Sequence, residues 1–125
     1  MMRPMTIVAA ILISLIALLH VWILILEMFL WRTPLGLRSF GTTPEQAEAS
    51  ATLAANQGLY NGILAAGLAW SLVAPGPTAF AFRVFFLAAV IVAGIYGGLT
   101  VSRRILIVQA LPAALALAAV LLARA

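Results

Sequence analysis

The chain alternates long apolar runs with short polar breaks, and the runs have the length of bilayer crossings. Residues 5 to 31 are apolar except for Thr6, Ser14, His20 and Glu27. A hydrocarbon core about 30 Å thick takes roughly 20 helical residues to cross, so this run predicts a first transmembrane helix. Residues 32 to 43 hold Arg32, Pro34, Gly36, Arg38 and Gly41 and read as a loop. Thr43-Pro44-Glu45-Gln46 then supplies a helix start, with threonine at the cap, proline at the first helical position and glutamine three residues after the cap. This helix is expected to begin outside the bilayer and to continue as a second span over about residues 52 to 74. Pro75-Gly76-Pro77-Thr78 closes it and leaves Thr78 to cap the next helix. A third span is expected over residues 79 to 100, a break over 101 to 104, and a fourth span over 105 to 122. The expected fold class is an all-α membrane protein, one domain over residues 1–125 built as an up-down-up-down bundle of four transmembrane helices.

Composition narrows this further. Of 125 residues, 66% are hydrophobic and 8% charged, with a mean hydropathy of +1.20, against a charged share of about 25% in soluble domains. A soluble globular fold is excluded. The net charge of +4 comes from seven arginines, three glutamates and no lysine. The arginines punctuate the ends of the apolar runs, as membrane anchors do, and form no basic face interleaved with aromatics, so no nucleic-acid partner is expected. Cysteine is absent, which removes disulfides, thiol nucleophiles, iron–sulfur clusters and attached c-type haem. Arg3 precedes the first apolar run as in a signal peptide, but the run far exceeds an h-region of about 7 to 15 residues. The first span is therefore expected to be retained.

Orientation follows from arginine alone. The loops after spans one and three carry Arg32, Arg38, Arg103 and Arg104, while the other side carries Arg3 and Arg124, with Arg83 just inside span three. Positive residues favour the cytoplasmic side, so a multi-pass protein of the cell membrane with both termini outside the cytoplasm is the preferred arrangement.

Chemistry is concentrated in the polar residues within the spans, because an ionisable side chain in hydrocarbon costs about 2.5 to 3.5 kcal/mol and usually has a function. His20 and Glu27 are seven residues apart, hence on one helix face and about 10 Å apart along the axis. Asn56, Gln57, Tyr60 and Asn61 share one face of span two. Depth ties the spans together. Glu27 lies four residues before the end of span one, Asn56 four after the start of span two, Tyr96 four before the end of span three, and Gln109 five after Arg104. All fall about 6 to 8 Å beneath the same membrane face. A one-sided polar pocket is expected there, with His20 and Asn61 nearer the midplane and Arg103 and Arg104 at the rim. Glu27 either pairs with one of those arginines or stays protonated. Asn, Gln and Tyr in membrane helices also commonly bond only to a neighbouring helix. Gly58 and Gly62, like Gly94 and Gly98, have the small-xxx-small spacing of close helix packing. Trp31 and Trp70 stand near span ends, where indole rings anchor at the interface.

The segments Leu19-His20, Leu26-Glu27-Met28-Phe29-Leu30-Trp31, Leu53-Ala54-Ala55-Asn56-Gln57-Gly58-Leu59-Tyr60-Asn61-Gly62, Ala93-Gly94-Ile95-Tyr96-Gly97 and Gln109-Ala110-Leu111-Pro112-Ala113 resemble the small bacterial integral membrane proteins of domain-of-unknown-function family 1304. The resemblance covers nearly the whole chain. It implies a membrane fold and marks the same polar positions, and it implies no substrate or mechanism.

Three functions fit these residues. In the first, the pocket binds a small lipophilic or amphipathic molecule and transports it, Glu27 exchanging a proton and His20 relaying it, with Asn56, Gln57, Tyr60, Asn61, Tyr96, Gln109, Arg103 and Arg104 as substrate-binding residues. Four helices enclose little space, so this reading carries a homo-oligomer as partner besides the lipid bilayer. In the second, Glu27 and His20 are the catalytic acid and base of a membrane-embedded isomerase or epoxide-opening enzyme. The third is a structural subunit of a membrane complex. No metal site is expected, since His20 and Glu27 fall short of three or four ligands. No cofactor is expected either, a haem on His20 being the one option the residues leave open.

Overall fold

The computed structural model describes residues 3–124. All regular structure among them is helical: α1 (Pro4–Met28), α2 (Pro34–Phe40), α3 (Pro44–Val73), α4 (Gly76–Thr100), a π-helical turn (Leu106–Ala110) and α5 (Leu111–Arg124). Three helical stretches are long and apolar enough to cross a membrane: Pro4–Met28, Gly76–Thr100 and Leu106–Arg124. The 30 residues of α3 extend about 45 Å, but Asn56, Gln57, Tyr60 and Asn61 dilute its apolar character.

Local chemistry sets the boundaries. At the start of α3, Thr43 Oγ1 accepts from the Gln46 amide at 3.2 Å and Gln46 Oε1 accepts from the Thr43 amide at 3.2 Å, the reciprocal cap expected from the sequence. The first apolar run ends as a helix at Met28 rather than residue 31. Phe29 and Leu30 both donate their amides to the Ile25 carbonyl, which closes the last turn. The stretch read as a loop contains α2. Thr33 Oγ1 accepts from Gly36 N at 3.3 Å, Pro34 takes the first helical position, and Gly41 ends the helix at φ 62°, a left-handed conformation that glycine adopts without steric cost. Thr78 does not cap α4. The helix already begins at Gly76 with Pro75 as its cap, since Pro77 in the first turn forfeits an amide that would have no intrahelical partner.

The chain divides into two units, residues 3–17 with 66–124 and residues 18–65. In the first, α4 meets the π turn at Gly94 and Gly98, where α4 itself contributes no side chain. A methyl group at Gly94 would stand 2.7 Å from Ala110 N and 2.9 Å from its Cβ, and one at Gly98 would collide with Leu106. The π turn is a departure from the expected regular fourth span. Leu111 donates its amide to the Leu106 carbonyl five residues back. The wider turn relieves the clash that the Pro112 ring makes with the carbonyl four residues before it. Around this contact Leu68, Leu87, Val90, Ala113 and Ala116 are buried. Three of the five arginines of this unit lie against helix ends. Arg83 Nε donates to the Ser71 carbonyl at 3.2 Å, Arg3 Nη1 to the Ala123 carbonyl at 3.3 Å, and the Arg124 guanidinium lies 3.9 Å from the centre of the Phe80 ring.

Gly94→Ala is expected to lower the thermal stability of the detergent-solubilised chain by roughly 1 to 3 kcal/mol, because backbone atoms of Ala110 block the added methyl. Gly97→Ala meets only Ile105 side-chain atoms, at 3.3 Å and beyond, and is expected to be nearly neutral in the same measurement.

Candidate functional site

In residues 18–65 the second half of α1 packs on the first half of α3 along a face without bulk. Glu48, Ala51, Ala55, Gly58 and Gly62 recur at spacings of three and four and so share one side of α3. A methyl group at Gly58 would stand 2.5 Å from Met28 Cγ, 3.2 Å from Glu27 Cβ and 3.3 Å from the Leu24 carbonyl oxygen, and one at Gly62 would stand 2.6 Å from Leu24 Cδ1. The two backbones therefore lie close enough for short side chains to bridge them. Asn61 Nδ2 donates to Glu27 Oε1 at 2.6 Å and to the Gln57 carbonyl at 3.1 Å. The second bond ties the amide to its own helix and aims it at the carboxyl group.

Toward the end of α1 the packed face opens into a cleft of about 690 Å³. Its polar lining is Glu27, Arg32, Thr33, Glu48 and Thr52, beside Trp31. Met28, Phe29, Ala51 and Ala55 supply the apolar wall. The cleft exists because α1 stops at Met28 while α3 continues, and because the intervening chain is pinned aside. Thr33 Oγ1 donates to the Leu30 carbonyl at 2.7 Å, and a Cβ at Gly36 would collide with that same carbonyl and stand 2.8 Å from the Trp31 carbonyl oxygen. Trp31 donates from Nε1 to Ser50 Oγ at 3.2 Å and tilts against Phe40 with ring centres 4.8 Å apart. Arg32 Nη1 and Glu48 Oε2 form an ion pair at 3.0 Å, with 62% and 71% of the side chains exposed.

The expected site residues separate accordingly. Glu27 and Asn61 are brought together. Asn56, Gln57 and Tyr60 lie on exposed faces of α3 and do not line the cleft. His20 is fully buried and does not line it either; no buried side-chain nitrogen or oxygen among the described residues lacks a hydrogen-bond partner. Tyr96 on α4, Gln109 in the π turn, and Arg103 and Arg104 before it belong to the other unit, where Tyr96 and both arginines are exposed and Gln109 is half-buried. Sequence reading missed Trp31, Arg32, Thr33, Glu48 and Thr52. The signal was available in the spacing of Glu48, Ala51, Thr52 and Ala55, which continues the Gly58 and Gly62 face upward.

The family model described as "Protein of unknown function (DUF1304)" matches residues 14–121. The chain belongs to this family. It is 35% identical over 115 residues to "Uncharacterized protein YpaA" of Lactococcus lactis subsp. lactis (strain IL1403), an alignment that covers 90% of this chain and 96% of that protein. No solved structure matches the chain. The family match spans α3 and with it Glu27, Asn61 and the cleft.

Asn61→Leu is expected to destabilise the folded chain by roughly 1 to 3 kcal/mol, because it strips the donor from a half-buried carboxyl group. Glu27→Gln keeps an acceptor for Asn61 and is expected to cost less. The double variant Glu27→Leu with Asn61→Leu should recover most of the Asn61→Leu loss. Additive losses in this cycle, read by denaturation in detergent, would mean that the two side chains do not interact.

Proposed function

We propose that this is an integral protein of the cell membrane with four spans, α3 crossing as well as the three apolar stretches, and that the cleft at Glu27 binds and transports a small lipophilic or amphipathic molecule. Glu27 exchanges a proton for it. One observation carries this reading: Glu27 on the apolar helix α1 lines an open cleft, and its carboxyl group is held by the neutral amide of Asn61. An amide N–H bonds to either form of a carboxyl group, so Glu27 can gain and lose a proton without losing its position. A static ion pair would not permit that.

The crossing of α3 is supported by its length and by the reciprocal cap that starts it in a polar segment. Asn56, Gln57 and Tyr60 then lie at membrane depth on exposed faces. Amide groups facing lipid are costly, and a second copy of the chain covers them, which makes the protein a homo-oligomer. The arginine balance, four on the side of loops one and three against two or three on the other, supports both termini outside the cytoplasm.

Two measurements test this. In proteoliposomes a gradient of an amphipathic amine is expected to drive proton flux in the native protein and none with Glu27→Gln; undiminished flux in that variant overturns the proton-exchange reading. The chain has no native cysteine, so Glu45→Cys and Pro77→Cys report topology directly. They are expected to react with an impermeant maleimide from opposite sides, Glu45→Cys from the cytoplasmic one. Labelling of both from the same side would remove the crossing of α3.

A further inference from the structure

We infer that the cleft is a binding site for an organic cation carried on an apolar body, an ammonium or phosphonium amphiphile. The inference rests on reading this cleft as the ligand site and names the ligand's charge. Three observations on the lining carry it.

The first is charge balance. The lining holds Glu27, Glu48 and Arg32, and Arg32 is spent on Glu48 at 3.0 Å. Glu27 is the remaining charged residue of the lining, with the Asn61 amide as its hydrogen-bond partner. The second is the position of Glu27 at the end of α1. The C-terminus of a helix carries the negative end of the helix dipole, where an acidic side chain is electrostatically misplaced unless a cation joins it. The last turn adds carbonyl groups. Phe29 and Leu30 both donate to the Ile25 carbonyl, and among the described residues no backbone amide bonds to the carbonyls of the lining residues Glu27 and Met28. The third is the apolar lining. Trp31 is fixed at the cleft by Ser50 and Phe40, and Phe29 is 69% exposed beside it. Aromatic faces attract cations and accept apolar bodies, and they give an anion no such gain. Carboxylate, helix carbonyls and aromatic rings all favour positive charge, and about 690 Å³ accommodates a ligand with several rings.

Tetraphenylphosphonium and tetraphenylborate are of closely similar size and opposite charge, so together they isolate the electrostatic part of binding. Equilibrium binding to the full-length chain in lipid nanodiscs is expected to be saturable for the phosphonium and at least about tenfold weaker for the borate. Glu27→Gln should weaken phosphonium binding by about tenfold or more. Arg32→Gln frees Glu48 to face the ligand and should tighten it by about two- to fivefold, a gain that a merely structural role for Arg32 does not produce. Equal binding of the two probes, or phosphonium binding indifferent to both substitutions, overturns the inference. Glu27-dependent proton flux driven by an uncharged amphiphile, with none driven by tetraphenylphosphonium, also overturns it while leaving the proton-exchange reading in place.

Discussion

The contact between α1 and α3 at Gly58 and Gly62 is what the polar site depends on. With no side chain at either position, Leu24, Glu27 and Met28 lie directly against the α3 backbone, and an asparagine three residues after Gly58 reaches across to the carboxyl group. A methyl group at Gly58 would press on Glu27 Cβ and on a main-chain oxygen, neither of which moves away as the tip of a long side chain can. Close packing and chemistry are therefore one event here. The same face of α3 continues upward through Ala55, Ala51 and Glu48, where α1 has already ended. There, small residues leave a space where lower down they allow a contact.

Charge is divided as unevenly as polarity. All three glutamates lie in residues 18–65, and residues 3–17 with 66–124 carry Arg3, Arg83, Arg103, Arg104 and Arg124 without an acidic residue. In that unit Arg83 and Arg3 donate to carbonyls near helix C-termini, and Arg124 stacks on Phe80. The Arg32 and Glu48 pair stands at the mouth of the cleft with both side chains well exposed, a geometry that contributes little to stability, about 0 to 1 kcal/mol. Its consequence is electrostatic, since it removes the one positive charge of the lining from competition for Glu27.

Much of this was legible in the chain, for identifiable reasons. The reciprocal cap at Thr43 and Gln46 depends on two residues at fixed spacing and nothing distant. The glycine pairs mark close approach because glycine presents the least bulk to a neighbouring helix, although only structure shows that Gly58 faces Glu27 and Gly94 faces Ala110. Glu27 stood out as an acidic residue in an apolar run. Helix α2 was hidden by its composition, as Pro34, Gly36 and Gly41 suggest a loop, yet those residues with Thr33 form a complete set of start and stop signals around seven residues. The π turn at Leu106–Ala110 has no local period to betray it, only Pro112 beyond it. The cleft was missed because it is made by the end of one helix beside the continuation of another, which neither sequence segment records alone.

The Glu27 to Asn61 hydrogen bond can be observed in isolation by infrared difference spectroscopy of the full chain in lipid bilayers, the Glu27 carboxyl band being the one lost in Glu27→Gln. The account predicts that Asn61→Leu shifts this band, because the donor to Oε1 has gone. A Glu27 band at the same position in the native chain and in Asn61→Leu would contradict it.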